Sequence, residues 1–297
     1  MKEIIECVPN ISEGRNKEVI EEVIKNLEQT NVKLLDYSSD PDHNRTVITF
    51  AGDRDSVKKG AVQVAKDAVR LIDLRKHTGT HPRMGSVDVI PFIPIKNVTM
   101  YDCVNLSKEV AEIISRELNI PVFLYAESAT RESRRLLPEI RKGEFEGFFE
   151  KIKDPLWEPD YGPKEVHSSA GVTAVGAREF LIAYNINLNT KDINIAKKIA
   201  RSIRESSGGL RFIQAKEMML EDKGCVQVSI NLLNYKKAPI YRVFEIVKME
   251  AQRYGISVLE SELVGLMPMR AALESLAYYI QLPELSEDSI VETKIYE

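Results

Sequence analysis

The hydrophobic period of this chain switches between two residues and about 3.6 in the order strand, helix, strand, strand, helix, strand, and it does so twice. That order narrows the fold more than any other feature, because each strand needs a partner edge and each helix needs a face to cover. In the first half, residues 4–9 form a short strand. After the turn Asn10-Ile-Ser-Glu-Gly14, the residues Val19, Ile20, Val23, Ile24 and Leu27 recur at helical spacing behind Asn16, a suitable N-cap. Residues 33–37 and 47–50 are two β-rich runs joined by the turn-forming cluster Ser-Ser-Asp-Pro-Asp-His-Asn-Arg. The apolar stripe Val57, Ala61, Val64, Ala65, Ala68 and Ile72 predicts a second helix, and residues 87–95 a further strand. Leu106, Val110, Ile113, Ile114 and Leu118 then stripe another helix behind Asp102, and residues 122–125 form a closing strand.

The second half repeats the plan. A strand at 180–187 is followed by a helix striped by Ile195, Ala196, Ile199, Ala200 and Ile203, and by a strand at 211–215. Val226, Val228, Ile230 and Leu232 alternate with Gln227, Ser229 and Asn231, as in a sheet with one polar face. A helix striped by Ile240, Val243, Phe244, Val247 and Ala251 and a strand at 256–260 complete it. The expected fold is therefore α/β of the α+β kind: two tandem ferredoxin-like βαββαβ subdomains, residues 1–177 and 178–297, whose uncovered sheet faces stack on one another with a groove between them. The connection at 143–176 is rich in glycine, proline and serine and shows no period, so a binding loop or lid is expected there.

A length of 297 residues fits two domains of about 150 each. With 43% hydrophobic and 29% charged residues and a net charge of −4, the composition is that of a globular protein and offers no basic surplus for nucleic acid. The chain lacks a signal-peptide pattern and any run of about 18 apolar residues, so a cytoplasmic protein with no membrane partner is expected. Cys7, Cys103 and Cys225 are odd in number, far apart and in no Cys-x-x-Cys pair, which predicts buried thiols rather than disulfides or a zinc site.

The residues with chemical potential cluster in His77-Thr-Gly-Thr-His81-Pro-Arg83-Met84-Gly85, where imidazole, guanidinium and flexible backbone join a helix to a strand. A loop histidine near neutrality both accepts and returns a proton. Taken singly, each of the four histidines is as well explained by a surface role. A metal held by His77 and His81 is discounted, because Gly79 and Pro82 break the helix such a pair would need and no acidic or cysteine ligand stands at a motif spacing. Arg45 and Arg83 sit in turns near strand ends, where a guanidinium grips a carboxylate with two parallel hydrogen bonds. The stretch from Gly162 to Arg178 has the glycine content of a phosphate loop but lacks its Gly-Lys-Ser/Thr ending, so nucleotide binding is rejected. Its glycines suit either close approach to a flat ligand or a plain connector.

Four motifs taken in order resemble the formiminotransferase domain family: Glu6-Cys-Val-Pro-Asn-Ile-Ser-Glu-Gly14, then Asn44-Arg45-Thr, then His81-Pro-Arg-Met-Gly85 with Asp88-Val-Ile-Pro-Phe-Ile-Pro94, and Gly176-Ala-Arg-Glu-Phe-Leu-Ile-Ala-Tyr-Asn-Ile-Asn-Leu188. The resemblance runs from residue 3 to about residue 280. It implies two α/β subdomains with facing sheets, and transfer of the formimino group from N-formimino-L-glutamate to tetrahydrofolate, giving 5-formiminotetrahydrofolate and L-glutamate in histidine degradation. Tetrahydrofolate is then a co-substrate, no metal is required, and a homodimer is expected. The animal domain is fused to a cyclodeaminase, and a stand-alone transferase is expected here. The family's catalytic histidine falls on His81. Its folate-binding segment falls on Gly162, Pro163, Lys164, Glu165, Val166, His167, Ser168, Ser169, Ala170 and Gly171, where His-Ser-Ser-Ala stands in place of the proline and tryptophan of animal enzymes. An acidic position of the animal branch is replaced by the Ser38-Ser39 pair, so no acidic partner is carried across. Arg45 and Arg83 are then expected to hold substrate carboxylates. Two other functions fit the same residues: formyl transfer between 5-formyltetrahydrofolate and glutamate, and folate binding without turnover.

Overall fold

Both βαββαβ runs close into sheets with the neighbour relations that split βαβ units impose, as seen in a computed structural model that describes residues 3–296. In the first, β1 (Ile4–Cys7) and β2 (Asn10–Ile11) form one strand interrupted at Val8-Pro9. The residues read as a turn after Pro9 thus begin with two more strand positions. Then come α1 (Lys17–Glu28), β3 (Lys33–Asp40), β4 (Arg45–Gly52), α2 (Arg54–Leu71) and β5 (Val87–Lys96). Strand β4 lies between β3 and the β1/β2 strand, and β5 flanks that strand on its other side, all antiparallel. Asn16 caps α1 as its spacing predicts, accepting from the N–H groups of Glu18 and Val19.

The sheet does not stop at four strands. Helix α3 (Met100–Leu118) leads to β6 (Val122–Ala126), short helices α4 (Leu137–Arg141) and α5 (Glu144–Lys151) follow, and β7 (Thr173–Ala177) inserts between β5 and β6, parallel to both. The stretch at 143–176 is therefore more than a loop, since it holds a helix and an internal strand. Strand β7 gives no alternation because all five of its residues are buried, as in parallel strands covered on both faces. A Cβ at its Gly176 would stand 2.3 Å from the Tyr125 carbonyl oxygen, so only glycine fits. The cap of α3 is Thr99, and Asp102 is its partner in a capping box rather than the cap itself.

The second sheet contains β8 (Ile182–Leu188), β9 (Ile213–Leu220), β10 (Cys225–Leu232) and β11 (Val258–Val264) in the order β11-β8-β10-β9, with α6 (Ile193–Ile203) and α7 (Ile240–Gln252) as its crossovers. Helices α8 (Met269–Ile280) and α9 (Val291–Tyr296) follow, beyond the elements the periodicity predicts. The chain divides into one unit ending at Arg178 and another beginning at Glu179.

Each unit has its own core, with the helix stripes against one sheet face. In the second unit the other face is polar, as the alternation at 226–232 predicts. There Gln227, only 3% exposed, donates to Asn187 Oδ1 at 2.9 Å and to Glu262 at 3.1 Å, and Asn187 donates to Glu260 at 2.9 Å. In the first unit the corresponding face is split. Phe123 and Tyr125 of β6 pack under Ile140 and Phe148 of α4 and α5, while Arg45, Val47 and Thr49 of β4 lie on the same face beyond that cover. All three cysteines are free and buried. Among the described residues no helix is long and apolar enough to cross a membrane.

Glu6 occupies this face of β1, opposite Ile5 and Cys7, and is 4% exposed. Burial pushes its carboxyl up to about 7 from 4.5, and the nearby Arg178 guanidinium offsets only part of that. The folded state thus holds the Glu6 proton more tightly than the unfolded chain does. The resulting stabilisation is complete below about pH 4.5 and is lost as pH rises through about 7. Glu6→Gln should remove this dependence, worth at most about 3 kcal/mol between the two limits. Melting temperatures of the two proteins from pH 5 to 8 test it, and parallel curves would reject the assignment.

Candidate active site

Residues 77–86 connect α2 to β5 and are stitched to the turn between β3 and β4. Asn44, with a left-handed φ of 50°, donates from its amide to Thr78 O at 3.0 Å and accepts from Gly14 N at 2.9 Å. Thr80 N donates to Asp42 O at 3.1 Å. A Cβ at Gly79 would stand 2.5 Å from His43 O, so the loop approaches the turn as closely as backbone allows. His77 completes the seam. Its Nδ1 accepts from Arg83 Nε at 3.2 Å, so the proton is on Nε2, which donates to Asn44 O at 2.9 Å.

This seam holds His81 half-buried. Arg45 Nη1 lies 2.7 Å from His81 Nε2. A guanidinium only donates, so His81 accepts at Nε2 and carries its proton on Nδ1. Arg45 Nε is buried and has no hydrogen-bond partner among the described residues. Burial, with Arg141 nearby, lowers the Arg45 pKa from its ordinary value, while Asp88 and Asp40 act the other way. Arg141 itself is anchored, its Nε donating to Asp88 Oδ2 at 2.8 Å while Asp88 Oδ1 accepts from Met84 N at 2.8 Å. His43 stands edge-on to His81, the ring centroids 5.8 Å apart.

Arg83 differs from Arg45. It is 9% exposed, and its two terminal nitrogens bind Glu146 at 2.6 and 2.9 Å and Glu144 at 3.0 Å. Burial alone would lower its pKa, but these carboxylates outweigh burial and raise it. Arg83 is thus engaged by α5, with three of its four terminal N–H groups directed at Glu144 and Glu146.

The segment at 162–171 meets the histidine loop just beyond His81. Ser86 N donates to Ala170 O and Val172 N to Met84 O, each at 2.9 Å, and Leu74 N donates to Ser169 O at 2.8 Å. Inside it, His167 and Gly171 exchange backbone hydrogen bonds, and His167 Nδ1 accepts from Ala170 N at 3.0 Å. Gly162 and Gly171 have φ of 89° and 72°, and a Cβ would stand 2.5 Å from Ile120 O and 2.1 Å from Met84 O respectively. These two glycines serve close packing within the protein. Pro163, Val166 and Ser169 are half-buried, Lys164, Glu165 and Ser168 are exposed, and Lys164 pairs with Glu158.

Three features of the site escape a reading of the sequence. The pairings of Arg141 with Asp88 and of Arg83 with Glu144 and Glu146 span 53 to 63 residues and leave no local trace. The pairing of Asp40 with His43 does leave one. Aspartate three residues before histidine, with proline after the aspartate, is the pattern of a side chain folding back on its own turn. Among the described residues no group of three or more His, Cys, Asp or Glu side chains is arranged to hold a metal ion.

Comparison with known proteins covers both units. The model of the formiminotransferase domain, N-terminal subdomain, matches residues 4–178, and that of the formiminotransferase domain matches residues 183–296. A glutamate formimidoyltransferase of Streptococcus pyogenes is 50% identical over 285 residues, covering 96% of this chain and 95% of that protein. One from Thermoplasma acidophilum is 45% identical, covering 98% and 97%. A formimidoyltransferase-cyclodeaminase of Rattus norvegicus is 44% identical over 96% of this chain, which matches 54% of that longer protein.

Proposed function

The chain belongs to the formiminotransferase domain family, and on that premise we propose that His81 is the acid–base group of its reaction. The reaction moves the formimino group from N-formimino-L-glutamate to tetrahydrofolate and yields 5-formiminotetrahydrofolate and L-glutamate. Pterin N5 attacks the formimino carbon and sheds a proton, and the glutamate nitrogen leaves having gained one. A single imidazole with an available lone pair meets both needs in sequence.

The observation that carries this reading is the 2.7 Å contact between Arg45 Nη1 and His81 Nε2. It keeps the ring in the tautomer whose lone pair lies on Nε2, the atom that takes the N5 proton. Arg45 also keeps a buried Nε with no partner among the described residues, a donor suited to a carboxylate oxygen. A substrate carboxylate arriving there draws the guanidinium off the imidazole and uncovers the base. Arg83 supports the site by fixing α5 against the histidine loop. The segment from Gly162 to Gly171 takes the folate, and its exposed Lys164, Glu165 and Ser168 are the side chains offered to that ligand. The reading includes a homodimer, a cytoplasmic location and a place in histidine breakdown.

The test is to incubate the protein with tetrahydrofolate, with and without formiminoglutamate, then acidify and follow conversion of the folate to its methenyl form. Conversion that depends on formiminoglutamate is expected. A faster reaction with 5-formyltetrahydrofolate and glutamate would move the substrate assignment to formyl transfer, and folate binding without either conversion would remove the enzyme reading.

A further inference from the structure

The turn that positions the histidine loop carries a second imidazole that the chemistry above does not use. His43 Nδ1 lies 2.6 Å from Asp40 Oδ2, and Asp40 Oδ1 accepts from the backbone N–H groups of Asp42 and His43, each at 2.9 Å. Burial would raise the Asp40 carboxyl, but the His43 backbone N–H and ring, with the Asp42 N–H, outweigh it and hold it below its usual range. Asp40 is therefore a fixed anion at neutral pH. Its imidazole partner reaches the site, since the His43 and His81 rings meet edge to face at 81°.

Charged groups approach His81 from two strand ends. From β4 comes Arg45, and behind it Arg141 of α4 and Asp88 of β5 pair with each other. From the end of β3 and its turn come Asp40 and His43. When His81 takes a proton it becomes a cation beside a guanidinium, and Asp40, paired with the His43 ring that stands against His81, is a carboxylate on that same turn.

We propose that Asp40 and His43 are positioning residues for His81: the His43 ring fixes the plane of the His81 imidazole, and Asp40, acting through His43, offsets the positive charge formed there during proton transfer. This rests on His81 being the acid–base group. No covalent step is added, and the proton still passes from pterin N5 to His81 and on to the leaving nitrogen.

The test compares Asp40→Asn, Asp40→Glu, His43→Phe and His81→Ala in the full chain. Asparagine keeps the acceptor that closes the turn and removes the charge, and phenylalanine keeps a flat ring without its nitrogens. Asp40→Asn should lower kcat about tenfold, a fraction of the loss expected of the base itself, with KM for both substrates unchanged. The acidic limb of its kcat/KM profile should move to lower pH by about one unit, the usual scale on which surroundings move a histidine, because the imidazolium has lost its counter-charge. His43→Phe should shift the limb in the same direction, and Asp40→Glu should restore both readouts. Reduced kcat with an unmoved limb would make the pair merely structural and overturn the proposal, as would wild-type behaviour of Asp40→Asn and His43→Phe. If Asp40→Asn does not fold, His43→Phe decides by the same two readouts. A fully active His81→Ala would sink the underlying reading and this inference together, whereas an inactive His81→Ala beside unaffected turn variants would remove this inference alone.

Discussion

His81→Ala lowers kcat by about two to four orders of magnitude, the range typical of losing a general acid–base group, and leaves the melting curve close to that of the wild type. The stability half follows from the setting of the ring. His81 is half-buried at the rim of the loop, and the seam that holds the loop runs through Asn44, Thr78, Thr80 and His77 instead. The activity half follows from the chemistry, since two proton transfers in one turnover would have to pass to water. Steady-state rates with formiminoglutamate and tetrahydrofolate, together with thermal unfolding, measure both. Turnover near that of the wild type in the alanine variant would take His81 out of the mechanism. A KM for formiminoglutamate that falls along with kcat would point to Arg45, released from the imidazole, binding the carboxylate more tightly in the ground state.

The largest expected effect on stability comes from a residue far from the chemistry. Arg134→Leu destabilises the first unit by about 3 to 5 kcal/mol, the usual result of removing one partner from a buried ion pair. Arg134 is 1% exposed and donates to Asp160 Oδ2 at 2.7 Å, to Glu158 O at 2.5 Å and to Leu156 O at 3.0 Å. Its guanidinium also lies 5.1 Å from the Phe123 ring centroid and 5.9 Å from that of Trp157. Leucine leaves the Asp160 carboxylate facing an apolar side chain and the two carbonyls without that donor. Asp160 also accepts from Leu124 N and pairs through its own backbone with Val122, so the disturbance reaches the start of the proposed folate segment. Urea unfolding gives the magnitude. Arg134→Leu combined with Asp160→Asn should cost less than the sum of the two single changes, because the orphaned charge is gone. Strict additivity would show that the pair is not a coupled unit.

The tandem plan was legible because its helices and strands each bury one face. Val57, Ala61, Val64, Ala65 and Ala68 recur at helical spacing, and all are buried. Val226, Val228, Ile230 and Leu232 alternate, and all point into the second core. Strand β7 was not legible for the opposite reason: Thr173-Ala-Val-Gly-Ala is enclosed on both faces and has nothing to alternate. The site was half legible. His81 and Arg45 stand in a turn-rich setting that invites a chemical reading, and the geometry joins them directly. Arg83 looked equivalent to Arg45, yet its fate depends on Glu144 and Glu146, partners recognisable only once α5 is in place. Asp40 and His43 looked like turn residues because they are, and what they do beyond that depends on a ring brought in from residue 81.

The second unit completes the four-strand plan and stops there, whereas the first goes on to splice β7 between β5 and β6. A closed αβ layer evidently does not need that extension, so the two halves act as a natural control for one another. The stretch between β6 and β7 is tied back to the sheet by the buried Arg134–Asp160 pair and by Ile140 and Phe148, and the rest of its surface is free to vary. Homologous replacement within residues 127–172 that keeps Arg134, Ile140, Phe148 and Asp160 should therefore be the way to change what the protein recognises while its scaffold stays as it is.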